Sequence, residues 1–284
     1  MEDIKAGKLY IVPTPIGNLK DITIRALEVL QNADVIAAED TRVSIKLLNH
    51  YGIKKKLISY QKFNEKDKTE EIVKILSEGK NIALVTDAGM PGISDPGSVV
   101  IQKCIDENIS FEVLPGPSAV LTALVYSGLD TTKFLFRGFL PRENKDRKAV
   151  IDEIKNAKDT IILYEAPHRL ISTLEFLLKN LGNREIALCR EISKMHEDIK
   201  RTDIKTAFEF YKNIDPKGEF VLVIRGKTEE EIEEEKRDKW KDISIEDHIK
   251  KYIEDGKSKK DAVKLVAKDR DMPKSEVYKY SINI

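Results

Sequence analysis

The chain is short of several residue types and motifs, and each shortage closes off a class of function. Its 284 residues include only two cysteines, Cys104 and Cys189, one in each half and without CxxC spacing. That argues against a disulfide framework or a cysteine zinc site and fits free thiols in a reducing compartment, with both expected in the core. The four histidines, His50, His168, His196 and His248, show no H-E-x-x-H or clustered spacing, so no metal is expected. The G-x-S-x-G elbow of serine hydrolases is missing. So are G-x-G-x-x-G and G-x-x-x-x-G-K-[ST], which leaves dinucleotides and triphosphates without their phosphate cradles. Nowhere do 18 apolar residues run together, and the opening MEDIKAGK places acids where a signal peptide has basic residues. A cytoplasmic protein without membrane association is expected. Charge of one sign is not in excess either: 49 Lys+Arg face 49 Asp+Glu, so any nucleic-acid surface must be a local patch.

What the chain does have is two loops dense in glycine and proline. Residues 86–97 read TDAGMPGISDPG and residues 114–119 read LPGPSA, each after a β-branched, apolar run. Glycine permits positive φ and close approach, whereas proline fixes φ and removes a donor, so such loops form rigid ledges that offer backbone atoms to a ligand. A flexible linker would carry Gly and Ser with little proline. The alternative for 86–97 is an ordinary strand-to-helix loop, and for PGPSA a helix start capped by Ser118. In an open α/β sheet, however, ligands bind beyond the carboxyl ends of the strands, where both loops fall. A small, non-phosphorylated ligand fits such ledges.

Strands alternate with helices along the first half. Short strands are expected at 9–12, 35–38, 56–60, 82–86 and 111–114. Helices are expected at 22–30 with Asp21 as a possible N-cap, and at 43–51, 69–77, 98–107 and 118–126. This βαβα rhythm predicts a mostly parallel sheet with helices on both faces. A second unit starts near Thr132, with strands at 134–140, 160–164, 185–189 and 219–224, helices at 144–157 and 167–179, and less regular sequence between the last two strands. Residues 227–242 are dominated by charge and read as a solvated helix or linker. Residues 244–284 return to helical periodicity in three pieces broken at Gly256 and Pro273. The domain plan is therefore 1–130, 131–226 and 227–284.

Charged residues gather after three of the strands. AAEDTR brings Glu39, Asp40 and Arg42 to a strand end, where Asp40 or Thr41 could equally serve as a helix cap. YEAPHR does the same for Glu165, His168 and Arg169, and REISKMHE for Arg190, Glu191, Lys194, His196 and Glu197; a solvated charged face is the other reading of the last. Basic residues cluster in 257–284, eight against four acids, as a candidate phosphate clamp or as plain amphipathic helices. Arg137, Arg142, Lys145, Arg147 and Lys148 form a second possible basic rim.

In order and spacing, LYIVPTPIGNLKDIT, AAEDTR, TDAGMPGISDPG, LPGPSA, FRGFLP, YEAPHR, REISKMHE and GEFVLVI resemble the ribosomal RNA small subunit methyltransferase I family of the tetrapyrrole methylase superfamily, from Leu9 to about Gly226. The resemblance implies a two-domain α/β fold with a mostly parallel N-terminal sheet, a mixed C-terminal sheet and a small helical C-terminal appendage. It further implies S-adenosylmethionine as cofactor in the cleft between the domains, a homodimer, and methylation of a cytidine ribose 2′-hydroxyl in the decoding region of 16S rRNA in the 30S subunit. It assigns cofactor contacts to Pro15, to Asp87, Ala88, Gly89, Pro91, Ile93 and Ser94, to Pro117, Ser118 and Ala119, and to Tyr164, Glu165 and Ala166. Porphyrin-methylating relatives carry G-x-G-P-G-D after the first strand; here the loop is PTPIGN, without the acid, which matches the RNA branch. A small-molecule, tetrapyrrole-type methylase on the same fold stays open, as does a non-enzymatic RNA-binding module. A ribose hydroxyl is a weak acid that a nearby base would assist, and His168, Asp40 and Glu165 are the side chains proposed for that role.

Overall fold

The computed structural model describes residues 6–238, 240–282 and 284. Five short strands, β1 (Leu9–Ile11), β2 (Val35–Ala38), β3 (Lys56–Ser59), β4 (Ile82–Val85) and β5 (Phe111–Val113), form one sheet in the order β3-β2-β4-β1-β5. Every pairing in it is parallel, as the rhythm predicted. The central strands β2 and β4 are apolar and buried on both sides because both faces are covered, while the edge strands β3 and β5 carry polar or exposed residues. Alternation sends Leu9, Ile11, Ala37, Ile82 and Leu84 toward helices α3 (Glu65–Ser77) and α4 (Ser98–Asp106). Ile36, Ala38, Ala83 and Val85 go to the opposite face, against α1 (Ile24–Asn32) and α2 (Thr41–His50). Cys104 is buried in the first of these cores.

Two boundaries differ from the sequence expectation. Asp21 does not cap α1, because it closes a 3-10 turn at Leu19–Asp21; Thr23 is the cap, its hydroxyl accepting from the Ala26 N–H at 3.0 Å. Helix α3 starts at Glu65 rather than Thr69. Its first turn, Glu65 to Lys68, is wholly charged, so apolar periodicity could not reveal it.

The second sheet has the order β6-β7-β10-β8-β9, from β6 (Phe134–Phe139), β7 (Thr160–Glu165), β8 (Glu185–Arg190), β9 (Asp198–Asp203) and β10 (Phe220–Ile224). β6 and β7 are parallel and the other neighbours antiparallel, so the sheet is mixed. β9 and the helix that follows it, α8 (Ile204–Tyr211), fill the stretch the sequence left irregular. β9 reads DIKRTD and pairs on one side only, and a charged edge strand of that kind lacks an apolar signature. One face of the sheet packs against α6 (Asn144–Ile154), α7 (Pro167–Leu181) and α8. The other receives α5 (Ala119–Ser127), whose Val120, Ala123 and Leu124 meet Ile162, Ala187, Cys189, Val221 and Val223. Thus α5 follows the first sheet in sequence but packs on the second, and Cys189 is buried beneath it.

After β10, α9 (Glu229–Asp238) is held to the second unit by ion pairs: Arg225 to Glu231 at 2.6 Å, Lys158 to Glu229 and Lys227 to Glu235. The helices α10 (Ile245–Glu254), α11 (Lys259–Asp269) and α12 (Lys274–Ser281) share a small core of Ile249, Ala262, Val266 and Val277. Trp240 stacks on the buried His248 at 3.6 Å and closes that core on the linker side. No described helix is long and apolar enough to cross a membrane.

Candidate functional site

The loops after β1, β4 and β5 meet beyond the carboxyl ends of three adjacent strands. Thr14 and Gly89 exchange both backbone hydrogen bonds: the Thr14 N–H donates to the Gly89 carbonyl at 2.9 Å, and the Gly89 N–H returns one at 3.0 Å. The Thr14 hydroxyl donates to the Thr86 carbonyl at 3.0 Å, and the residue is only 1% exposed. A two-rung ladder therefore welds the PTPIGN loop to the TDAG loop. Gly89 sits at φ 79°, where a Cβ would come within 3.5 Å of the Ile16 side chain and 4.0 Å of the Pro117 carbonyl. In the third loop, a Cβ on Gly116 would lie 2.7 Å from the Pro13 ring. Close approach requires glycine at 116, whereas at 89 it is the positive φ, not lack of room, that favours it.

The long ledge is also tied to itself. The Gly92 N–H donates to the Pro96 carbonyl at 3.0 Å and the Ile93 N–H to that of Met90 at 3.2 Å; the Gly97 N–H donates to Glu65 on α3 at 2.9 Å. Ser94, at its tip, holds φ 66°, a strained value for a residue with a Cβ. The ledge is thus cross-braced by its own backbone and tied to α3.

Carboxylates line the neighbouring strand end. The Asp40 N–H donates to the Asp87 carboxylate at 3.1 Å and the Asp87 N–H to Glu39 at 3.3 Å, which interlocks AAEDTR with the shelf. Asp40 also caps α2 by accepting from the Arg42 N–H at 2.8 Å, and pairs with the Arg42 side chain at 2.6 Å. The cap reading of Asp40 therefore holds, and the Arg42 guanidinium holds its carboxyl down at about 2. Burial pushes Glu39 and Asp87 the other way, upward. Asp95 goes furthest: burial first, then the charges of Glu39 and Asp87, raise it to about 7. Sequence reading passed over Asp95, although an acid inside so rigid a loop, SDPG, was the available signal.

The second domain supplies the opposite wall. Tyr164 at the end of β7 packs edge-on to Phe136 at 5.0 Å and tilted against Phe139 at 5.5 Å. Burial, together with the negative charge of Asp95, pushes its phenol up to about 12, so it stays a neutral donor. The Ser94 hydroxyl lies 3.1 Å from where a Cβ on Gly138 of β6 would stand, so shelf and second sheet meet there. The REISKMHE loop completes the junction. Its Lys194 backbone would crowd any Cβ on Gly17, its Ser193 hydroxyl bonds Asp21, and its Glu197 accepts from the Tyr126 hydroxyl at 3.0 Å.

Of the residues marked in the sequence, the structure gathers Pro15, Asp87, Ala88, Gly89, Pro91, Ile93 and Ser94 on the shelf, Pro117, Ser118 and Ala119 beside it, and Tyr164 across from it. Ser118 caps α5 as well. His168 lies exposed on the first turn of α7, which Ala166 starts as N-cap. Glu165 is not brought to the cleft by its side chain. Strand alternation turns it to the face opposite Tyr164, where its buried carboxylate accepts from the Thr173 hydroxyl at 2.6 Å and the Ala166 N–H at 2.8 Å, with Arg169 at 3.5 Å. It anchors the start of α7. Thr173→Val is therefore expected to lower stability by about 1–3 kcal/mol in urea unfolding while leaving ligand affinity unchanged. Lost turnover at full stability would return Glu165 to the reacting groups. The basic rim is smaller than expected, because Arg137 pairs with Glu153 at 2.7 Å and the Arg147 guanidinium stacks on Phe176 at 4.1 Å.

Residues 8–207 match the tetrapyrrole (corrin/porphyrin) methylases. Ribosomal RNA small subunit methyltransferase I of Halalkalibacterium halodurans is 46% identical over 272 residues, covering 96% of this chain and 93% of that protein. The protein of the same name from Thermotoga maritima is also 46% identical, over 221 residues that cover 78% of this chain and 99% of that one. About a fifth of the present chain therefore has no counterpart in it. Among solved structures, that of diphthine synthase superposes with a TM-score of 0.63 at 16% identity, covering 78% of this chain and 91% of that one, a likeness of fold. A family match across most of the chain and 46% identity over nearly its whole length place it in the tetrapyrrole (corrin/porphyrin) methylase family.

Proposed function

We propose that this protein is an S-adenosylmethionine-dependent methyltransferase of small-subunit ribosomal RNA, acting in the cytoplasm as a homodimer on the ribose 2′-hydroxyl of a cytidine in the decoding region of 16S rRNA within the 30S subunit. The observation that carries the reading is the welded shelf of Thr14 and Gly89, in a chain 46% identical to proteins named for methylating that RNA. The shelf also fits the cofactor in charge. Glu39, Asp87 and Asp95 crowd negative charge into a partly buried rim, and a positively charged sulfonium or ammonium relieves that repulsion.

When bound, the cofactor supplies a methyl group on a good leaving group, so the protein's task is alignment. Gly89, Pro91 and Ser94 hold main chain at fixed positions, Pro117 to Ala119 form the second wall, and Tyr164 with Ala166 closes the cleft from the second domain. The hydroxyl proton passes most readily to His168, exposed at the cleft end of α7. Asp40, held at about 2 by Arg42, is too weak a base, and Glu165 is committed to Thr173. Four lysines, Lys257, Lys264, Lys268 and Lys274, with one acid, Asp261, line a groove along α11 that reaches the start of α12, a net positive surface that suits a phosphate backbone. Mass spectrometry of rRNA nucleosides from cells lacking the protein is expected to show one 2′-O-methylcytidine missing. An unchanged nucleoside profile, with methyl transfer to porphyrinogens in vitro, would move the acceptor to the tetrapyrrole class.

A further inference from the structure

The loop between β3 and α3 carries two side chains that neither core nor shelf uses. Phe63 is 85% exposed, and Lys62 beside it also faces solvent. The loop is nonetheless braced: the Gln61 N–H donates to the Asn64 side chain at 2.7 Å, and the Asn64 N–H returns a bond to the Gln61 carbonyl at 2.9 Å. The next residue, Glu65, accepts from the Gly97 N–H at the end of the shelf. Phe63 is thus a bare aromatic ring on a rigid mount bonded to the site. Lys62 stands close enough to Asp95 for its charge to act on that carboxylate, and Asp95 acts in turn on Tyr164 in the second domain. Beside Tyr164 lies Phe139, 52% exposed. An exposed aromatic ring and a lysine therefore stand on the loop that Glu65 bonds to the end of the shelf, and a second exposed aromatic ring lies beside Tyr164.

An aromatic ring held in water beside a cation is the arrangement that receives an unstacked base and its phosphate. Every base offers a π-face, and recognition of RNA outside its helices works through bases splayed onto aromatic side chains. We propose that Phe63 is a stacking platform for an RNA base adjoining the modified nucleotide, with Lys62 contacting the neighbouring phosphate. The inference rests on the rRNA reading above and assigns to this loop the positioning of single-stranded RNA.

The test compares methyl transfer to 30S subunits by the wild type, Phe63→Ala, Phe63→Leu and Phe63→Tyr. Alanine and leucine are expected to raise KM for the subunit roughly tenfold or more, tyrosine to keep it, and all to bind S-adenosylmethionine as the wild type does in calorimetry. Lys62→Gln is expected to weaken binding and to reduce its salt slope by about one. Leucine as effective as phenylalanine would overturn stacking and point to an apolar protein contact instead. Phe63→Trp adds a direct readout once the wild-type titration is subtracted, because Trp240, the only native tryptophan, is buried in the C-terminal core and the difference signal comes from the new indole on the loop. Quenching by a single-stranded RNA oligonucleotide supports the platform; its absence refutes it. A wild type that transfers no methyl to 30S subunits defeats the rRNA reading, and the fluorescence titration then still decides the platform by itself.

Discussion

Gly89→Val is expected to weaken S-adenosylmethionine binding about a hundredfold, or ~2.7 kcal/mol, and to lower kcat/KM on 30S subunits by at least as much. Position 89 sits at φ 79°, where a β-branched residue is an outlier costing about 1–3 kcal/mol. The loop has no easy retreat, because both backbone hydrogen bonds of Gly89 go to Thr14, itself buried and bonded to Thr86. Valine must therefore strain the ladder or break it, and either moves the shelf relative to Pro117 and Ile16. A displacement of about 1 Å suffices for a hundredfold loss in an alignment-dependent reaction. Gly128→Ala is the control: it lies at φ 72° as the cap of α5, and a Cβ there meets nothing within 4 Å. It should cost about 1 kcal/mol of stability and leave cofactor binding intact. Calorimetry on both variants checks the pair, and wild-type affinity in Gly89→Val would remove the shelf from cofactor binding.

The second large effect concerns pH and Asp95. Folding raises this carboxyl from 3.8 to about 7, so the folded chain holds the proton more tightly than the unfolded one. The associated stability is fully present below about pH 4, declines as pH rises and is gone above pH 7. Asp95→Asn abolishes the titration. Relative to the wild type it should gain stability between pH 5 and pH 8, on the order of 1 kcal/mol after solvent screening of a partly exposed group. Urea unfolding at the two pH values measures this, and a pH-independent difference would refute it. Ligand binding moves in the opposite sense. A cationic ligand prefers the ionised carboxylate, so wild-type affinity for S-adenosylmethionine should rise through pH 7, whereas the asparagine variant should stay flat and bind about tenfold more weakly at pH 8. The same substitution thus helps the fold and harms the site, a combination that a purely structural aspartate would not produce.

Much of this site was readable in one dimension. Glycine and proline act through φ and a missing donor, which are local properties, so TDAGMPGISDPG and LPGPSA declared rigid loops wherever they lay. The all-parallel first sheet was equally legible, because strands covered on both faces are apolar at successive positions, as in VIAA and IALV. β9 was not, since a polar edge strand has no periodic signature. Glu165 shows the limit on single residues. Its neighbours Tyr164 and Ala166 border the cleft, yet the period of two in a strand turns its carboxylate to the far face.

Composition and order alone determined the ledges, the alternation of strands and helices, the helical appendage and the membership suggested by eight successive motifs, because each is written in residues adjacent along the chain. Only the tertiary structure decided that Thr14 would lock to Gly89, 75 positions away, that α5 would leave its own sheet for the next, that Asp95 would sit among Glu39 and Asp87 at about 7, and that Phe63 would stand bare on the loop before α3. The reason is range. Backbone preference is a property of a residue and its neighbours, whereas burial, field and exposure depend on whatever the fold brings alongside.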